Sequence, residues 1–151
     1  MARWQRGQSD VEGMVAAGEL QRVIGDVANG KRLLDKAART LTSARAVAAS
    51  DPDSAFVLAY DAARQALTAL LAQQGLRPTT KGGHYAVERA IRAQFGLGFR
   101  PFAALRRRRN ELEYPERVGD NATYDEAVDA VGDAQAIIAA AEGLHDQLGL
   151  F

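Results

Sequence analysis

The chain has no cysteine, two histidines, four prolines and one tryptophan in 151 residues. Without cysteine there is no disulfide frame, no thiolate metal site and no thiol nucleophile. With only His84 and His145, a histidine-rich metal centre is excluded, and neither a metal nor another cofactor is expected. No charge sign predominates, since 19 Lys+Arg face 19 Asp+Glu. The chain therefore lacks the overall basic excess usual in nucleic-acid-binding domains. No run approaches the roughly 18 apolar residues of a membrane span. The opening MARWQRGQSD has no apolar middle like that of a secretory signal. These absences lead us to expect a cytoplasmic chain with no membrane association.

What is present is helical periodicity along nearly the whole chain, with no alternating run long enough for a strand. Ser9 and Glu12 have capping-box spacing and predict a first helix carrying Met14 and Val15. Gly18 breaks or bends it before Leu20, Val23, Ile24 and Val27. A second helix follows Asn29-Gly30, with Leu34, Ala37, Leu41, Ala44 and Ala48 in three-four spacing. Asp51-Pro52 offers an N-cap and a first-turn proline to a third helix. Its stripe of Phe56, Tyr60, Ala63, Leu67, Leu70 and Leu71 is the clearest in the sequence. Beyond the breaker-rich stretch from Pro78 to Gly83, a fourth helix runs from about His84 to Phe95. A fifth carries Phe102, Leu105 and Leu112 and weakens at Tyr114, because Pro115 disfavours helical geometry before it. Thr123 and Glu126 form a second capping-box pair. They open a last helix with Tyr124, Val128, Val131, Ala134, Ile138, Ala141 and Leu148 on one side. The expectation is an all-α chain: a single domain over 1–151, a four-helix-type bundle with additional short helices. Short helices occupy 1–28 and the main bundle 29–148.

Residues 106–116 read Arg-Arg-Arg-Arg-Asn-Glu-Leu-Glu-Tyr-Pro-Glu. A charged run of this kind is ordinarily a solvated face. At about 100° per residue, with Phe102 at zero, Leu105 falls near 300°, Leu112 near 280° and Arg109 near 340°. Arg109 thus points into the apolar stripe, whereas Arg107, near 140°, points away. A guanidinium on a packed side is costly unless a carboxylate, carbonyl or ligand meets it. Glu113 lies one turn on, but a base preceding an acid at that spacing is the weaker order. A tertiary or ligand-binding role explains Arg109 better.

An Arg-Asn dipeptide late in the penultimate long helix of a small α-bundle resembles the HEPN superfamily (higher eukaryotes and prokaryotes nucleotide-binding domains). The run Lys81-Gly82-Gly83-His84-Tyr85-Ala86-Val87 ahead of Arg-Arg-Asn-Glu-Leu-Glu-Tyr-Pro is similar to a bacterial HEPN subgroup. The resemblance implies a helical bundle, commonly a homodimer. It also implies one of two activities: a metal-independent RNase of toxin–antitoxin or defence systems, or a non-catalytic partner of a small nucleotidyltransferase. The family signature is Arg, often Asn, then His after four to six residues. Arg109 and Asn110 match its first two positions, and Tyr114 stands where the histidine is expected. An alternative register puts Arg107 and Leu112 in the arginine and histidine positions, again without the histidine.

Tyrosine, with an ordinary pKa of about 10, is a poor general base at neutral pH. The resemblance therefore implies a degenerate site of Arg109, Asn110 and Tyr114, joined by Arg106, Glu113 and His84. It would serve a binding or regulatory module for RNA or nucleotide. The alternatives are a metal-independent endoribonuclease with a substitute base and a purely structural bundle. His84, after two glycines at a helix start, could meet phosphate there; its ordinary reading is packing or capping at the turn. His145 reads as a packing or helix-end residue. Tyr60, Tyr85 and Phe102 could stack on bases, although aromatics at helical spacing are more often core.

Overall fold

The computed structural model describes residues 2–117 and 120–151. The elements are α1 (Gln8–Ala16), β1 (Leu20–Arg22), α2 (Lys31–Val47), α3 (Pro52–Gln73), β2 (Leu76–Pro78), α4 (Gly83–Phe95), α5 (Pro101–Glu113) and α6 (Tyr124–His145). Single 3-10 turns lie at Gly25–Val27 and Gly96–Phe99. The chain is all-α apart from the two three-residue strands.

α3 is the axis, because its sequence is apolar almost all round. Thirteen of its residues are buried, from Ala55 to Ala72. α2 and α6 pack along it on one flank, and α4 and α5 meet its other side. Small side chains set these distances: Gly30, at the start of α2, lies so close to α3 that an added Cβ would collide with the Ala69 carbonyl oxygen. The expected caps at α3 and α6 are formed. Asp51 accepts from the Ser54 N–H at 3.1 Å, and the Thr123 hydroxyl accepts from the Glu126 N–H at 3.1 Å. Tyr114, before Pro115, leaves helical geometry at φ −124° and ψ 67°, and α5 ends at Glu113.

Four readings of the sequence are corrected. α1 starts at Gln8 behind Gly7, with no side-chain cap. The Ser9–Glu12 capping box does not form, because Arg3 and Gln8 take the Glu12 carboxylate at 2.7 Å and 3.2 Å. Strands do exist: β1 pairs antiparallel with β2 in the register Leu20↔Pro78, Gln21↔Arg77, Arg22↔Leu76. Three residues are too few to alternate visibly, and the turns at Gly18 and Gly75, both at positive φ, are what bring them together. The short helical stretch expected after Gly18 is instead β1 followed by a 3-10 turn, and its apolar Ile24 and Val27 are 84% and 59% exposed. On α6 the buried face runs through Ala127, Ala130, Val131, Ala134, Ile137, Ile138 and Ala141. The expected stripe thus holds at Val131, Ala134, Ile138 and Ala141 but not at Tyr124 and Val128, which are exposed, while Leu148 is buried beyond the helix end. Alanines let α6 approach α3 closely, Val131, Ile137 and Ile138 join the same core, and Tyr124 and Val128 are turned outward.

Candidate functional site

His84 is the second residue of α4. The turn before it is held by the chain after α1: the Thr79 N–H donates to the Glu19 carbonyl at 3.1 Å, and Lys81 Nζ donates to the Ala17 carbonyl at 2.8 Å. Gly82 sits against the Glu19 carbonyl, where a Cβ would not fit. Here α4 presents first-turn amides, which lack partners within the helix, next to the middle of α3 and the end of α5.

Tyr60 is where the three helices meet. It comes from α3 and is 1% exposed. Its hydroxyl lies 3.3 Å from His84 Nδ1. Its ring stacks on Phe102 of α5 at 5.4 Å between centroids and an interplanar angle of 13°. Above the ring, at 5.7 Å from its centroid, lies the guanidinium of Arg109. A phenol can donate to a neutral imidazole or accept from a charged one. Tyr60 therefore accommodates either protonation state of His84, whose own residue surface is exposed.

The four consecutive arginines separate by direction. Arg106 Nε donates to Glu88 of α4 at 2.6 Å, and its guanidinium lies 5.7 Å from the Tyr85 ring. Arg107 is exposed. Arg108 binds Glu126 of α6 at 2.6 Å and 3.1 Å and Glu111 at 2.9 Å. Arg109 turns to α3, pairing with Glu113 at one end, while its Nε is buried with no acceptor. Arg106 and Arg108 are thus occupied in tying α5 to its neighbours. Arg109 retains unspent hydrogen-bonding capacity next to an exposed histidine.

Arg64 of α3 adds a further cation, and its Nε too is buried without a partner. Burial, then Arg64 and Arg109, hold His84 below its usual 6.5, against the weaker pull of Asp61. Burial raises the Tyr60 phenol, with Arg64, Arg109 and Arg106 opposing. At neutral pH the cluster is thus a neutral imidazole and a neutral phenol among guanidinium groups. Such an arrangement attracts a phosphate or carboxylate and leaves a base free to take a proton.

Of the residues singled out from sequence, the structure brings His84 and Arg109 together through Tyr60 and places Glu113 on Arg109. Arg106 stands behind them on Glu88. Asn110 is exposed, 3.4 Å from Arg109 Nη1. Tyr114 is 72% exposed and lies with Asn110 in a separate surface hollow that includes Glu116 and Arg117. It does not join the Tyr60 cluster, because the geometry required before Pro115 takes it off the helix. His145 is buried at the end of α6, with Nδ1 3.1 Å from Asp146. Sequence reasoning missed Tyr60 as the hub and Arg64 altogether. Their signal was a Tyr–Arg pair one turn apart on α3, an otherwise alanine- and leucine-rich helix.

A helical bundle with a cationic cluster of this kind defines a class, and a family model narrows it: the HEPN domain matches residues 31–144. The chain belongs to the HEPN family. Among curated proteins and among solved structures, nothing matches it. No helix among the described residues is long and apolar enough to cross a membrane.

Proposed function

We propose that this HEPN protein is a binding or regulatory module for RNA or nucleotide, with Arg109, Arg64 and His84 around Tyr60 as its phosphate-recognising centre. The observation that carries this reading is Arg109: its Nε is desolvated and unpaired, and its terminal nitrogens are met only by the Glu113 carboxylate and, at 3.4 Å, by the Asn110 side-chain oxygen. A buried donor left unmade costs about 1–3 kcal/mol, so a phosphate that draws the Arg109 side chain towards solvent recovers that cost. Asn110, which touches Arg109, and Tyr114 share a neighbouring surface hollow that would receive the chain beyond the phosphate, while Arg106 orients α5. Family membership supports a toxin–antitoxin or defence setting, a homodimer and a nucleotidyltransferase partner. The decisive experiment is binding of a fluorescent single-stranded RNA by the wild type and by Arg109→Ala. Affinity unaffected by the substitution refutes the proposal.

One observation favours a second reading, a metal-independent endoribonuclease. The exposed and predominantly neutral imidazole of His84 stands where Tyr114 cannot reach. In that reaction His84 Nε2 takes the proton from a ribose 2′-hydroxyl, the 2′ oxygen bonds to phosphorus, and the 5′ oxygen leaves and is protonated by water. Arg109 and Arg64 steady the phosphorane charge. Cleavage of an RNA pool in the presence of chelator, lost in both His84→Gln and Arg109→Ala, would establish this reading over binding alone.

A further inference from the structure

A second concave feature lies behind the Tyr60 cluster. Between α4, the 3-10 turn Gly96–Phe99 and α5 is a cleft of about 280 Å³. That is close to the lower edge of the roughly 300–1,000 Å³ of small-molecule sites. Its floor is made of Leu67, Ile91, Phe99 and Phe102, each of them buried. Arg92 and Arg100 stand on its rim. The only carboxylate in its wall among the described residues, Glu88, is 6% exposed and has both oxygens engaged, one by Arg92 at 3.0 Å and one by Arg106 at 2.6 Å. Arg100 has no carboxylate partner among the described residues. Two guanidinium groups in the wall, Arg92 and Arg100, against one carboxylate that Arg106 also neutralises from behind, leave a net positive rim over an apolar floor.

We propose that this cleft binds a small amphipathic anion, with one carboxylate, sulfonate or phosphate on a flat apolar body of one or two rings. The charged head meets Arg100 and Arg92, the rings lie on Phe99, Phe102 and Ile91, and Leu97, 69% exposed on the rim, covers the outer edge. The occupant also bears on the Tyr60 cluster. Phe102 is the stacking partner of Tyr60, and Glu88 holds Arg106. A ligand seated against that ring and that carboxylate therefore perturbs the contact between Tyr60 and His84. This regulatory half rests on the function proposed above, whereas the binding half does not.

Titration of the full chain with anilinonaphthalenesulfonate tests the binding half. One saturable site per chain is expected, with the dye displaced by naphthoate but not by neutral naphthol, and with naphthoate raising the melting temperature. Arg100→Gln weakens binding about twofold to fivefold, the range of a solvent-exposed ion pair. Ala103→Phe, which fills the cleft, abolishes binding. Leu97→Asp does the same from an exposed position where the fold is not at stake. Absence of saturable binding, equal affinity for naphthol, or binding indifferent to Leu97→Asp overturns the proposal. For the regulatory half, the His84 ring proton resonances shift as naphthoate binds; resonances that stay fixed while the dye is displaced overturn the coupling. RNA binding measured without naphthoate is a separate readout, so its absence would sink the proposed function and leave the dye titration standing.

Discussion

Replacing Arg109 by methionine separates a ligand-binding arginine from a structural one. Methionine keeps an unbranched apolar stem against Tyr60 and removes the guanidinium. Lost are a cation–π contact of about 0.5–1 kcal/mol and an i,i+4 ion pair of about 0.3–0.5 kcal/mol. Relieved is the buried Nε, which has no acceptor and whose desolvation costs about 1–3 kcal/mol. The balance lies between about 0.5 kcal/mol lost and about 2 kcal/mol gained. At about 2–4 °C per kcal/mol for a chain of this size, the melting temperature should fall by no more than about 2 °C and could rise by up to about 8 °C. RNA affinity should respond oppositely. A hydrogen bond to a charged group is worth about 1.5–3 kcal/mol, so binding should weaken roughly 10- to 150-fold. The slope of log affinity on log salt should shrink by about 0.7 for the phosphate contact removed. Calorimetry and fluorescence anisotropy on the same preparations read both effects. A melting temperature lowered by more than about 5 °C with RNA affinity unchanged would refute the reasoning, since that is the signature of a packing residue.

Three further outcomes follow from the same geometry. Glu113→Gln removes the carboxylate that competes for Arg109, so RNA affinity should rise about twofold to fivefold while stability changes by less than about 0.5 kcal/mol; weaker binding would mean that Glu113 orients the arginine instead. His84 is held below its usual 6.5 by burial and then by Arg64 and Arg109, so the unfolded chain takes up its proton first. Stability should decline as pH falls from about 6.5 towards the lower folded value. RNA affinity should climb over that same window, because phosphate favours the imidazolium; denaturation and binding curves should both flatten there in His84→Gln, and slopes that persist would assign them to another group. Gly30→Ala drives a methyl into the Ala69 carbonyl and should cost about 1–3 kcal/mol, or roughly 2–12 °C of melting temperature by differential scanning calorimetry; an unchanged transition would show that α2 can shift away from α3 freely.

The helices were legible where chemistry was local. Asp51, Thr123 and Pro115 act on neighbours within a turn, and each does what its residue type dictates. On α6 only Tyr124 and Val128 were misread, because alanine carries little hydrophobic weight in a periodicity argument, yet decides how near two helices can come. The β1–β2 pair was invisible because its partners are more than fifty residues apart and only three residues long. At the site, Arg109 stood out because its helical angle put a charge among apolar neighbours. Tyr114 was placed by motif spacing alone, and the backbone before Pro115 sends it elsewhere. Tyr60 gave little warning beyond Arg64 one turn on: an aromatic on a core stripe looks the same whether or not its hydroxyl reaches a histidine. Glu88 was silent too: with Arg92 one turn on it reads as an ordinary surface pair, and the second arginine that accompanies its burial, Arg106, comes from another helix.

The arm formed by α1 and β1 lies ahead of the region that the family model matches, yet it carries the carbonyls that fasten the turn before His84. It works as a splint: the imidazole is aimed from outside the bundle, by Ala17, Gly18 and Glu19. Relatives that keep α3 and α5 but differ in their first thirty or so residues could re-aim the same ring without altering any residue that touches the ligand. A fragment trimmed to 31–144 would keep the arginines and lose the setting of the histidine.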